Sequence, residues 1–130
     1  MKKTLFVTVL LLLGTFAFSQ TNVNIKTNNG IIMEIVADGH AGYAEIGYDI
    51  VCAVISSTMR TYLYIVTETP NLKVEYDVTK RGYLSIKIIT IGKDNALVEQ
   101  LKGISRFIIR TFNDLKKEYP NYINVNITSM

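Results

Sequence analysis

The stretch TNVNIKTNNGIIMEIVA, residues 21–37, decides the fold. From Thr21 to Thr27 the side chains alternate, with Val23 and Ile25 on one face, which is the period of a half-buried strand. Asn28-Asn29-Gly30 follows, and Asn and Gly both tolerate positive φ, so a tight turn is expected there. Ile31 to Ala37 then reads as a second strand, and the pair as a hairpin.

Working outward, Asp38 to Tyr48 carries three glycines and reads as a loop. From Asp49 to about Val66 the pattern turns helical, with Asp49 placed as the N-cap, although Val51, Val54 and Ile55 are weak helix formers. Pro70 ends that region. Leu72 to Val78 and Tyr83 to Ile91 read as strands around Lys80-Arg81-Gly82, a second hairpin. Asn95 to Tyr119 is the clearest helix. Its Leu97, Leu101, Ile104, Ile108, Phe112 and Leu115 make one apolar stripe. Pro120 stops it, and Tyr122 to Ile127 is a last alternating strand. The order ββαββαβ predicts an α+β domain, with two helices packed on a small, mostly antiparallel sheet.

The 130 residues suffice for one domain, and 48% hydrophobic against 19% charged residues is the balance of a folded chain. Residues 1–19 resemble a secretory signal: Lys2 and Lys3, then an apolar run from Leu5 to Phe18, then Ala17-Phe18-Ser19 with small residues around a cut before Gln20. Fourteen helical residues reach roughly 21 Å, short of a bilayer core of about 30 Å, so a removed leader is favoured over a permanent span. Such a leader would engage the membrane only transiently, and residues 20–130 would form the single domain. A misassigned start codon gives the same segment no export role. The net charge of +3 includes the two leader lysines, which leaves the body near neutral and gives no general case for nucleic-acid binding. Lys102, Arg106 and Arg110 share a helix face, and Tyr76 and Tyr83 lie on strands; a solvated face and ordinary strand packing are the plainer readings.

One Cys and one His exclude an internal disulfide and a multi-His metal site. Any thiol chemistry rests on Cys52 and any imidazole chemistry on His40, twelve residues earlier across the glycine-rich loop that starts at Asp38-Gly39. With Asp49 as cap, Cys52 stands third in its helix. There the open backbone N–H groups and the positive end of the dipole favour a thiolate, which should bring the thiol below its ordinary value of about 8.5. The same N–H groups are placed to hold an oxyanion, and His40 to take the thiol proton. Ser56, one turn after Cys52, can hydrogen-bond the dyad or the substrate. The plainer reading is a small buried cysteine and a solvated loop histidine. No phosphate-binding glycine motif is present, and no metal or organic cofactor is expected.

The run Gly39-His40-Ala41-Gly42-Tyr43-Ala44-Glu45, with Gly47-Tyr48-Asp49-Ile50-Val51-Cys52-Ala53-Val54-Ile55-Ser56, resembles the ribosomal-processing cysteine protease (Prp) family, whose pattern is a GHA loop followed by DIVCAAVS. Gly82-Tyr83-Leu84 and Glu118-Tyr119-Pro120 add to the likeness, and Val54-Ile55 departs from the family's Ala-Val. The resemblance spans about residues 21–127. It implies a cysteine endopeptidase with Cys52 as nucleophile, His40 as base and Ser56 beside the dyad. The implied task is removal of an N-terminal extension from a large-subunit ribosomal protein precursor. The family's members are cytosolic homodimers whose cut follows an apolar, aromatic-containing segment. A used leader would instead export the protein and require another peptide substrate. A catalytically silent ribosome- or RNA-binding module on the same fold is the remaining alternative.

Overall fold

A computed structural model describes residues 20–39 and 49–130; the leader-like residues 1–19, and His40 with the rest of the loop 40–48, lie outside the described residues. The order is β1 (Thr21–Asn28), β2 (Ile31–Gly39), α1 (Ile50–Glu68), β3 (Leu72–Asp77), β4 (Tyr83–Ile91), α2 (Asn95–Glu118) and β5 (Ile123–Ser129). This is the expected α+β succession.

The strands form one five-stranded sheet in the order β3-β4-β2-β1-β5. Three neighbouring pairs are antiparallel, and β1 with β5 is parallel. Asn29 and Gly30 are the only residues between β1 and β2, and both have positive φ, at 53° and 79°. That is the two-residue turn whose twist matches paired strands. Val23, Ile25, Ile35, Ala37, Ile86 and Val125 are buried on one sheet face, while Asn22, Asn24, Lys26 and Lys87 are exposed on the other. Both helices cover the apolar face: α2 packs over β2 and β5, and α1 lies against β3. On the polar face the parallel register sets Asn24 opposite Asn126, with their side-chain amides 3.1 Å apart.

Element ends differ slightly from expectation, for local reasons. The third strand stops at Asp77 because its carboxylate accepts from both the backbone N–H and the hydroxyl of Thr79, which turns the chain. Those bonds, the hydroxyl's first, hold the exposed Asp77 carboxyl below its ordinary value. α1 runs on to Glu68, with the Thr67 and Thr69 hydroxyls bonded back to helical carbonyls. Length and apolar content alone would let α1 cross a membrane, yet Val51, Ile55, Met59, Tyr62, Leu63 and Val66 are buried within this protein.

The stripe on α2 takes in one polar residue. Ser105 is 1% exposed at its centre, and Ile104 beside it is half-buried and packed against the core. The β1–β2 register shifts between Lys26 and Thr27, and Thr27 pairs with Ile32. Nearby, the Ile32 N–H donates to Ser105 Oγ at 2.9 Å, and its carbonyl accepts from the Tyr62 hydroxyl at 3.1 Å. An isoleucine at 105 would leave that buried N–H unanswered, at a cost of about 1–3 kcal/mol. Burial pushes the Tyr62 phenol well above its ordinary value.

Candidate active site

The site is assembled where the ends of β1 and β2 meet the start of α1. Asp49 has extended backbone, with φ −80° and ψ 102°, and its Oδ1 accepts the Cys52 N–H at 2.9 Å. This is an N-cap bond to the third helical residue. The Asp49 carbonyl accepts from Ala53 N at 3.0 Å, so the cap is closed by main chain and side chain together. Asp49 is only 8% exposed, so this bond is sheltered from water.

That bond corrects one expectation. The first-turn amides were expected to stand open for an oxyanion, but the amide of Cys52 itself is committed to Asp49. The amides of Ile50 and Val51 are the ones at this helix end that no described residue answers.

Cys52 is half-buried and lines a cavity of about 350 Å³. One wall is the face of α1 that carries Cys52, Ser56 and Arg60, spaced a turn apart. Thr21, Ala37 and Gly39 line it from β1 and β2, and Val78, Tyr83 and Leu84 from the β3–β4 region. The lining is mostly apolar, and Arg60 is its one ionised side chain among the described residues. Arg60 Nε donates to the Ser56 backbone carbonyl at 3.4 Å, and Ser56 itself is exposed where it lines the cavity.

Gly39 ends β2 in a conformation that glycine permits, with φ +109°. Its N–H donates to the Gly82 carbonyl at 2.8 Å, and it pairs across the sheet with Thr21. The described residues therefore bring Gly39, Cys52 and Ser56 to one cavity, with Asp49 behind Cys52. His40, next in the chain after Gly39, lies outside the described residues. Sequence reasoning missed Thr21, Met59 and Arg60, and named Tyr83 and Leu84 for the family likeness without placing them at the cavity. Thr21 left a signal, as a polar residue on the same alternating face as Val23 and Ile25.

Other candidates are not brought together. The register puts Tyr76 opposite Ile86 on the helix-covered face and Tyr83 opposite Asp38 on the polar face, so the two make no common stacking platform. Lys102 pairs with Glu99 at 3.4 Å and Arg110 with Asp114 at 3.2 Å, which neutralises much of that helix face. Among the described residues no three His, Cys, Asp or Glu side chains converge as a metal set would require.

Comparisons with known proteins agree with this architecture. A family model described as cysteine protease Prp matches residues 20–124. A Staphylococcus aureus protein named ribosomal processing cysteine protease Prp is 27% identical over 109 residues, covering 80% of this chain and 95% of that protein. A crystal structure of the S. aureus ribosomal processing protease Prp with a covalently linked product peptide superposes with a TM-score of 0.69 at 22% identity, covering 84% of this chain and all of that one. A Streptococcus mutans crystal structure superposes with a TM-score of 0.65 at 20% identity, covering 85% of this chain and 96% of that one.

Proposed function

The chain belongs to the cysteine protease Prp family, and from that premise we propose that it is a cysteine endopeptidase with Cys52 as nucleophile and His40 as base. The observation that carries the reading is the position of Cys52: third in α1, half-buried, in the wall of a cavity large enough for peptide side chains.

In the proposed reaction His40 takes the Cys52 thiol proton, and Sγ forms a bond to the scissile carbonyl carbon. The resulting oxyanion is held by main-chain donors other than Cys52 N–H, which Asp49 occupies; Ile50 and Val51 are the nearest such amides on α1. Collapse breaks the C–N bond, and the imidazolium proton passes to the leaving amine. Water then attacks the thioester, gives its proton to His40 and releases the Cys52 thiol with the product acid. The Ser56 hydroxyl, on the same helix face, hydrogen-bonds the dyad or the peptide. Asp49 and Gly39 hold the helix start and the strand end that carry the two reacting groups.

The substrate in this reading is a ribosomal protein precursor with an N-terminal extension, as the name of the S. aureus relative suggests. An apolar lining suits an apolar, aromatic-containing segment before the cut. This substrate requires a cytoplasmic enzyme, which acts as a homodimer. Residues 1–19 favour a second reading, an exported peptidase with another substrate, and N-terminal sequencing of the protein from its host separates the two.

The test is cleavage of a peptide carrying the ribosomal extension. Cys52→Ala should abolish it while leaving the melting temperature near that of the wild type. His40→Ala should lower turnover by ~10²–10⁴-fold. Persistent cleavage by Cys52→Ala would end the protease reading. A peptide bound but never cut by the wild type would favour the silent module.

A further inference from the structure

Thr21 opens β1, and its side chain is on the helix-covered face with Val23 and Ile25. It stands in the wall of the Cys52 cavity. Its backbone is fully provided for: the N–H donates to the Tyr122 carbonyl at 3.1 Å, and the residue pairs with Gly39 on one side and Ile123 on the other. The side chain differs. Thr21 is only 3% exposed, and its Oγ1 is the one buried side-chain nitrogen or oxygen among the described residues with no hydrogen-bond partner.

A buried hydroxyl in that condition weakens the folded state, because it has given up water and gained nothing in exchange. Every other buried polar side chain among the described residues is answered: Ser105 by Ile32, Tyr62 by Ile32, and Asp49 by Cys52. A valine would fill the same volume with no polar atom and with better strand propensity. The single exception among the described residues therefore falls on a residue that lines the cavity of Cys52.

We propose that Thr21 is a substrate-binding residue: its hydroxyl, closed to solvent in this structure, turns about Cα–Cβ to make its missing hydrogen bond to the main chain of a peptide held in the Cys52 cavity. The inference rests on the endopeptidase reading for its choice of ligand. An extended peptide offers a carbonyl or an N–H at every residue, about 3.3 Å apart, so a hydroxyl at this place finds a partner whatever the side chains. The bond favours a peptide seated in register and leaves side-chain selection to the apolar lining. A ligand that fills the cavity without a main-chain group there leaves the hydroxyl as unanswered as before, and is disfavoured for that reason.

The experiment compares Thr21→Val and Thr21→Ser in the full chain, with an internally quenched peptide carrying the ribosomal extension as probe. Thr21→Val should keep or raise the melting temperature and lower kcat/KM about tenfold, the worth of one buried hydrogen bond. Its pH–rate profile should keep its shape, and Thr21→Ser should recover most of the loss. Thr21→Ala repeats the measurement with no added volume should the valine variant not fold. Binding of the same probe to Cys52→Ala, with and without Thr21→Val, reads the contact without turnover; a tenfold weaker Kd is expected. Wild-type kcat/KM and Kd in a stabilised Thr21→Val would overturn the proposal and leave Thr21 a packing residue. A shifted pH profile at unchanged Kd would also overturn it, by assigning the hydroxyl to the catalytic base. Cleavage that survives Cys52→Ala would strike the protease reading alone, since the binding arm still reports on Thr21.

Discussion

Replacing Gly39 by alanine should destabilise the protein by about 2–4 kcal/mol. Gly39 has φ +109°, where side-chain-bearing L residues rarely stand, and holding alanine there costs about 1–3 kcal/mol. The new Cβ would also lie 2.6 Å from the Gln20 carbonyl oxygen and 3.5 Å from Thr21 Cα. The first distance is too short to exist, so something must shift. The Gln20 carbonyl belongs to the same peptide unit as the Thr21 N–H, which is bound to the Tyr122 carbonyl at 3.1 Å. Swinging the oxygen away therefore strains the link that ties β1 to the segment entering β5. Moving Gly39 instead strains its own bond to the Gly82 carbonyl at 2.8 Å. Either relief forfeits roughly 0.5–1.5 kcal/mol beyond the backbone strain. The assay is urea unfolding followed by circular dichroism. A lower midpoint at unchanged slope is expected, with a melting temperature down by about 8–20 °C. Peptide turnover should fall even where the variant is fully folded, because residue 40 follows directly in the chain. An unchanged midpoint and unchanged turnover would refute both the conformation and the close approach.

Asp49→Ala should cost about 1–2 kcal/mol and Asp49→Asn a few tenths, about 0.5 at most, because asparagine keeps the acceptor for Cys52 N–H; equal losses in urea unfolding would sink the cap reading. Tyr62→Phe should cost about 1 kcal/mol by leaving the Ile32 carbonyl unanswered. Because burial raises the Tyr62 phenol in the folded state, its contribution is fully present below the ordinary value of 10.0 and is lost as pH rises beyond it. The phenylalanine variant should therefore show a flatter alkaline limb of stability, and identical limbs would argue against the buried phenol. Sedimentation of the protein at micromolar concentration should show a dimer with one dyad per subunit; a fully active monomer would rule out the dimer as a requirement.

What the sequence determined by itself was whatever depends on neighbours a few residues away. The alternation of Val23 and Ile25, the Asn29-Gly30 turn, the long apolar stripe of α2 and the cap at Asp49 each specify local geometry through chain stereochemistry and short contacts. The element order followed from them. The placement of Cys52 at the third helical position was legible for the same reason.

Tertiary structure decided whatever depends on which distant segments meet. The parallel pairing of β1 with β5 joins residues 102 positions apart, as in the Asn24–Asn126 contact, and no local pattern encodes it. Ser105 is buried beside Ile104 because its partner, Ile32, sits 73 residues away next to a register shift in another part of the sheet. Tyr76 and Tyr83 were parted by register, since a strand's alternation assigns two faces but only pairing says which one the helices cover. The cavity itself is of this kind. The ends of two strands and the first turns of a helix supply its walls, and the unanswered hydroxyl of Thr21 acquires meaning only once Cys52 stands in the same space. Side-chain chemistry is written residue by residue, whereas a binding site is a property of the space between elements, which packing alone creates.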